Sequence, residues 1–187
     1  MKKIETICVY CGASSNGPAY HREVAKDLGV ILAKEKIKLV YGGGSSGVMG
    51  ALADSVINEG GFVTGIIPEF LLSHEMAHKG VNELKIVNNM HERKALMASM
   101  AQGFVVLPGG IGTLEEFFEI ITWRQLGIHN KPIVVLNVMG FWNNLTTIID
   151  SLITSGYMRE ENKELLKFVE KTDQVLPQLK KIFGQPS

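Results

Sequence analysis

Runs rich in β-branched and aromatic residues alternate along this chain with amphipathic stretches of helical length, and that alternation constrains the fold more than any other feature. The apolar runs fall at residues 4–10, 38–41, 62–67, 84–87, 104–107 and 133–137. Between most of them apolar residues recur at helical spacing. Val24, Leu28, Ile31 and Leu32 do so within 20–36, and the pattern repeats across 48–58, 90–102, 114–126 and 141–155. Residues 160–183 read as two helical pieces around a short strand at 168–169. Strands that follow one another through helices pair in parallel by right-handed crossovers, which places helices on both faces of one sheet. The expectation is an α/β chain, a single Rossmann-like doubly wound domain over residues 1–187 with a mainly parallel sheet flanked by helices.

Composition narrows the class of partner. The chain holds 45% hydrophobic and 20% charged residues, with 19 basic against 19 acidic side chains. That balance gives no electrostatic reason to expect nucleic acid or a membrane surface. No apolar run approaches the roughly 18 residues that span a bilayer. The start, Met1-Lys-Lys-Ile-Glu-Thr-Ile, has an acidic residue where a signal peptide needs an apolar stretch, so a cytoplasmic protein is expected. The two cysteines lie in Cys8-Val-Tyr-Cys11. Residues three apart on a strand face opposite sides, and two cysteines alone do not complete a zinc site, so both are expected in the core.

Ligands of doubly wound sheets bind outside the carboxyl ends of the strands. Three glycine- and serine-rich loops are expected there: Gly12-Ala-Ser-Ser-Asn-Gly17, Gly42-Gly-Gly-Ser-Ser-Gly47 and Pro108-Gly-Gly-Ile-Gly112. A tight turn explains any one of them, whereas three on one sheet edge point to ligand binding. The third belongs to a segment, 104–117, that reads as a buried strand, a glycine turn and a helix whose first turn carries Glu115 and Glu116. Free backbone N–H groups and the helix dipole make such a turn an anion site. Thr113-Leu-Glu-Glu116 also matches a capping box, with Thr113 at the N-cap and Glu116 three residues on. The two roles are compatible, because capping fixes the carboxylate. Met90-His-Glu-Arg-Lys opens the helix after the fourth strand and puts Arg93 and Lys94 near the same edge. Arginine there offers a planar fork of donors to anionic oxygens, although in isolation a solvated basic turn is the plainer reading of the pair.

Two motifs point elsewhere and are weaker. Gly42-x-Gly44-x-x-Gly47 has dinucleotide spacing, but it follows the second strand and no acidic residue ends the next one. His74-Glu75-Met-Ala-His78 matches the zinc-hydrolase pattern, yet it is confined between Pro68 and Gly80 where a stable helix has little room. A polar segment over the pocket, with Glu75 reaching in, is the plainer reading.

Five stretches together resemble the LOG ("Lonely guy") family: Cys8-Val-Tyr-Cys-Gly12, Tyr41-Gly-Gly-Gly-Ser45, Met90-His-Glu-Arg-Lys94, Pro108-Gly-Gly-Ile-Gly-Thr-Leu-Glu-Glu116 and Thr122-Trp-Arg-Gln-Leu-Gly-Ile-His129. Those proteins are cytokinin riboside 5′-monophosphate phosphoribohydrolases, often mislabelled lysine decarboxylases, and the likeness runs to about Gly156. The resemblance implies hydrolysis of the N-glycosidic bond of a purine nucleoside 5′-monophosphate, cytokinin-type or AMP. Carried over by motif, Arg93 and Glu116 are the catalytic pair. Glu75, Arg93, Lys94, the loop Gly109, Gly110, Ile111, Gly112, Thr113, Leu114, Glu115 and Glu116, and Thr122 are the substrate contacts.

The implied partner is a small-molecule nucleoside monophosphate, with no cofactor and no metal, in a homo-oligomer for which a dimer is favoured. A lysine-linked pyridoxal site has no sequence signal here. Thr122 lies six residues beyond Glu116, about 600° around a helix and hence on another face. A neighbouring subunit therefore supplies one of them if both touch ligand, and Trp123, Leu126 and Ile128 suit such a contact, with Trp123 equally explained as core. The pattern departs from the family at Ser46, where an aliphatic residue is expected, and at Gln102, where aspartate is usual. The alternative function is a non-catalytic nucleotide or cofactor carrier of related fold. The preferred base is not specified by these residues.

Overall fold

The computed structural model describes residues 3–72 and 77–184. Seven strands, β1 (Thr6–Tyr10), β2 (Lys38–Tyr41), β3 (Val63–Pro68), β4 (Glu83–Val87), β5 (Gly103–Val106), β6 (Ile133–Leu136) and β7 (Lys167–Val169), form one sheet. Six α-helices accompany them among the described residues: α1 (Ala19–Lys34), α2 (Gly47–Asn58), α3 (Met90–Met100), α4 (Ile111–Gln125), α5 (Asn143–Thr154) and α6 (Val175–Phe183). The strand order is β4-β3-β2-β1-β5-β6-β7, and every pairing is parallel. The chain starts in the middle, builds outward to β4, then crosses back and builds outward to β7. The switch point thus lies between β1 and β5, where the loops leaving two adjacent strands diverge and open a crevice.

Burial on both faces explains why the central strands read as unbroken apolar runs rather than alternating ones. Leu28, Leu32, Leu52, Val56 and Leu179 from α1, α2 and α6 pack on one face, while Met97, Phe117, Ile120, Leu145 and Ile149 from α3, α4 and α5 pack on the other. Cys8 belongs to the second cluster and Cys11 to the first, so the two thiols do face opposite sides of β1. Both are free and buried, and burial pushes both thiols well above their ordinary range. Redox chemistry needs a thiolate, which these sites disfavour.

The two departures from the family pattern have local explanations. Ser46 precedes α2 and donates from Oγ to the Ala13 carbonyl at 2.7 Å, tying the second glycine loop to the first. Gln102 accepts from the Glu5 and Thr6 amides at 2.6 and 3.1 Å, at the sheet edge remote from the loops. Thus Ser46 braces the site from behind, and Gln102 takes no part in it.

Candidate active site at the strand switch point

Two backbone bonds hold the crevice walls in register. The Leu107 amide donates to the Tyr10 carbonyl at 2.9 Å, and the Gly12 amide donates to the Pro108 carbonyl at 3.1 Å. Gly109 is required by this approach: a Cβ there would lie 2.1 Å from Thr113 Oγ1 and 2.8 Å from the Gly12 nitrogen. Beyond the junction opens a cleft of about 620 Å³. It lies within the roughly 300–1,000 Å³ typical of small-molecule sites. Its walls come from the loop Cys11–Pro18 and from Val48 and Met49 of α2. Leu71, Met90, Arg93, the segment Pro108–Gly110, Gly112, Thr113, Glu115, Glu116 and Phe141 complete them, with His21 of α1.

Helix α4 begins one turn earlier than its sequence implied. Gly110 is the N-cap in an extended conformation, and the first turn contains no acidic residue. The expected capping box is therefore absent. Without a side chain Gly110 enters the extended cap freely, which places Thr113 inside the helix rather than ahead of it. Two consequences follow. The leading N–H groups of a helix have no partner within it, so here they face the cleft undiluted by a first-turn carboxylate. Glu116, relieved of a capping role, sits in the second turn and is only 5% exposed. A carboxylate is seldom buried at a cleft wall for stability alone.

Arg93 reaches the cleft from α3. Asn89 caps α3 by accepting the Glu92 amide at 2.9 Å, which fixes the helix start after β4. Arg93, 3% exposed, then reaches across the sheet edge. Its Nε donates to the Ile66 carbonyl at 3.1 Å and its Nη2 to the Gly42 carbonyl at 2.8 Å. A Cβ on residue 42 would stand 2.2 Å from Nη2, so Gly42→Ala is expected to displace the guanidinium. If Arg93 is catalytic, as the motif implies, that substitution cuts turnover by roughly tenfold or more, as misplacement of a positioning group does. Steady-state assay beside a thermal melt checks it. Arg93 and Glu116 both border the cleft, one from α3 and one from α4.

Other expected contacts fall differently. Lys94 is buried and does not line the cleft, being paired with Glu115 and with Glu119 at 2.9 Å. Burial alone would lower the ammonium's pKa; the two carboxylates outweigh it and hold the group above its ordinary value. Lys94 thus clamps α3 to α4 and orients Glu115. Gly109, Gly110, Gly112, Thr113, Glu115 and Glu116 line the cleft, whereas Ile111, Leu114 and Thr122 do not. Thr122 is exposed, its hydroxyl donating to the Phe118 carbonyl at 2.6 Å. Trp123 packs partly buried against the core, while Leu126 and Ile128 are exposed.

Glu75 and His74 lie outside the described residues. His78 is described, and both its ring nitrogens are occupied: Nδ1 accepts the Gly80 amide at 3.1 Å and Nε2 meets Asp54 Oδ1 at 3.0 Å. A zinc ligand needs one of those nitrogens free. His78→Ala should therefore lower stability by about 1–3 kcal/mol and leave turnover within roughly threefold. Denaturant unfolding and steady-state assay of the same preparation check both figures.

The dinucleotide spacing at Gly42–Gly47 also has a structural answer. The leading amides of α2, those of Val48 and Met49, donate to the Gly12 carbonyl at 2.9 and 3.1 Å, so that helix terminus is already spent on protein. Sequence reasoning missed His21, Leu71 and Phe141 on the cleft wall. A signal existed for His21: Pro18 marks the start of α1, and the first turn after a first-strand loop lies at the ligand edge. Leu71 and Phe141 are brought in by tertiary packing alone.

The chain matches a family model described as possible lysine decarboxylase over residues 49–179. It is 40% identical to the cytokinin riboside 5′-monophosphate phosphoribohydrolase LOG1 of Arabidopsis thaliana, over 99% of this chain and 90% of that protein. It is 45% identical to the probable cytokinin riboside 5′-monophosphate phosphoribohydrolase LOGL9 of Oryza sativa subsp. japonica, over 87% of this chain and 72% of that protein. Among solved structures it resembles the molybdenum cofactor binding protein of Rippkaea orientalis. That match is 18% identical with a TM-score of 0.74, covering 97% of this chain and 99% of that one. The Chlamydomonas reinhardtii molybdenum cofactor carrier protein gives the same values of 18% and 0.74, covering 98% and 100%. At that identity the likeness is one of fold.

Proposed function

The chain belongs to the LOG family, and from that membership and the cleft at the switch point we propose that it hydrolyses the N-glycosidic bond of purine nucleoside 5′-monophosphates. The products are the free base and ribose 5-phosphate. The observation that carries the reading is the convergence of two ionisable side chains, Arg93 and Glu116, buried on two different helices beside an open helix N-terminus.

The chemistry follows from that arrangement. The 5′-phosphate settles on the amides at the start of α4 and against the loop Gly12–Gly17, where dipole and N–H groups favour an anion. This remote binding energy fixes the ribose relative to the wall. As the bond from C1′ to the base nitrogen breaks, positive charge grows on the ribose, and the buried carboxylate of Glu116 stabilises it. Glu116 also orients or deprotonates the attacking water, whose oxygen joins C1′ while its proton ultimately balances the departing base. Arg93 positions the nucleotide. The apolar side chains Val48, Met49, Leu71 and Met90 offer a surface to the base, plain or N6-modified. Free, buried thiols fit the reducing cytoplasm as the compartment.

A homodimer completes the reading. Ile111 and Phe118 are exposed on α4 and Leu126 at its C-cap, and Thr122 lies on the same face at helical spacing. An apolar stripe of this kind beside a cleft suits a partner subunit, which receives Thr122 across the contact. Phe118→Glu is expected to convert a dimer to monomer in sedimentation velocity at micromolar concentration; a chain monomeric before substitution removes this part of the account.

The reaction is tested by incubating the purified protein with AMP and following adenine by chromatography. A carrier of related fold would bind nucleotide and release no base.

A further inference from the structure

Arg93 and His21 are the basic side chains among the described residues that line the cleft. Arg93 already gives Nε and Nη2 to two main-chain carbonyls. Lys94 is spent on two carboxylates behind the wall. A nucleoside monophosphate brings a phosphate of nearly two negative charges, and helix amides supply only partial ones.

His21 stands in the first turn of α1, three residues beyond Pro18 at the end of the first glycine loop. It is 4% exposed, and its Nε2 has no hydrogen-bond partner among the described residues. A buried imidazole nitrogen without a partner is costly and uncommon. The ring is held edge-on by Tyr20 and Phe141, with centroids at 4.2 and 4.9 Å, so its place beside the cleft is fixed by packing. The same helix start is braced by Arg22, whose Nη1 donates to the Ser15 and Gly17 carbonyls at 3.2 and 3.0 Å.

We propose that His21 binds the 5′-phosphate of the substrate through its free ring nitrogen and so makes the cleft select nucleotides over nucleosides. This rests on the reading of the cleft as a nucleotide site. It also accounts for the orphaned nitrogen, which acquires an anionic acceptor when the ligand enters. Burial lowers the pKa of His21, so the ring is neutral in the free cleft near pH 7. Arg22 follows it and Tyr20 touches it on its own helix, and Glu115 and Glu116 of α4 and Arg93 of α3 share the cleft wall, while the loop that brings Phe141 holds no titratable side chain between 137 and 142. A phosphate at the ring favours the imidazolium, so binding takes up a proton and tightens as pH falls through the range where free His21 is neutral and the complex is charged. The proton comes from solvent, and no bond other than N–H is made.

The test uses the full chain with Glu116→Gln, so that AMP persists during titration. Calorimetry at pH 7.5 in two buffers of different ionisation enthalpy reads affinity and proton uptake for AMP and for adenosine. Adding His21→Gln should weaken AMP by about tenfold or more, as loss of a charged hydrogen bond does, remove the proton uptake and leave adenosine within twofold. Equal weakening of AMP and adenosine would assign His21 to packing against Phe141, and unchanged AMP affinity with unchanged proton uptake would remove it from the site; either overturns the proposal. Should the double variant fold poorly, histidine ring NMR of the Glu116→Gln protein decides. A ring signal that moves to its protonated position on adding AMP, and not adenosine, supports the assignment, and no such movement overturns it. If the unaltered protein releases no base from AMP while AMP binding still depends on His21, the proposed reaction falls and the phosphate contact stands.

Discussion

Replacing Glu116 by glutamine is expected to lower base release from AMP by about 10³-fold while the protein stays folded, the size of effect that removal of an acid–base group produces. The substitution preserves volume and planarity and removes the charge. Glu116 borders the cleft from the second turn of α4, almost fully buried, and the N-cap of that helix is Gly110. Its loss therefore costs no cap, and the amide still fills the same space among its neighbours. Melting temperature should move by no more than a few degrees, since about 1 kcal/mol shifts a chain of this length by roughly 2–4 °C. AMP should still bind, because the phosphate is held elsewhere, so the loss should appear in kcat rather than KM. A folded Glu116→Gln protein with near-normal kcat would take Glu116 out of the chemistry.

Arg93→Ala should behave differently, and the difference distinguishes the two partners. Turnover is expected to fall by roughly 10²–10³-fold, the cost of losing a preorganised charge. Unlike Glu116, Arg93 also holds the architecture: Nε and Nη2 tie the Ile66 and Gly42 carbonyls, joining the end of β3 to the loop after β2. Truncation leaves two carbonyls without a charged donor, for which a loss of about 2–4 kcal/mol and a melting point lower by about 5–15 °C are expected. Arg93→Lys keeps the charge but has no fork to reach both carbonyls, so it should recover little of either property. Assay and thermal melts of both variants check these figures. If Arg93→Ala melts like the unaltered protein, the two carbonyl bonds contribute nothing net, and if it turns over normally its catalytic role fails.

Much of this arrangement was legible in the sequence because it depends on patterns with a short reach. The strands appear where β-branched residues cluster, since a sheet covered on both faces needs unbroken apolar runs, and their ends agree within about two residues. The β-α alternation required parallel pairing, and even the short β7 was foreshadowed by Phe168 and Val169. Local ambiguity accounts for the error at α4: Thr113 and Glu116 satisfy a capping box on paper, but Gly110, two residues after Pro108, makes an earlier start available.

What depended on side-chain reach was not legible. Lys94 looks like a substrate contact beside Arg93, yet one residue along a helix turns it by about 100°, toward Glu115 and Glu119 instead of the cleft. Leu71 and Phe141 reach the cleft from distant parts of the chain with no motif to announce them. His21 carries a positional signal at the start of α1, but a histidine one turn into a helix is usually structural. Cys8 and Cys11, by contrast, followed directly from strand geometry and lie on opposite faces of β1.

The most direct test of the central claim is to incubate the purified chain with AMP and with isopentenyladenosine monophosphate and to quantify free base and ribose 5-phosphate together. Equimolar base and ribose 5-phosphate from at least one substrate, lost in Glu116→Gln, is the expected result. Tight binding of both nucleotides with no base released from either would contradict it.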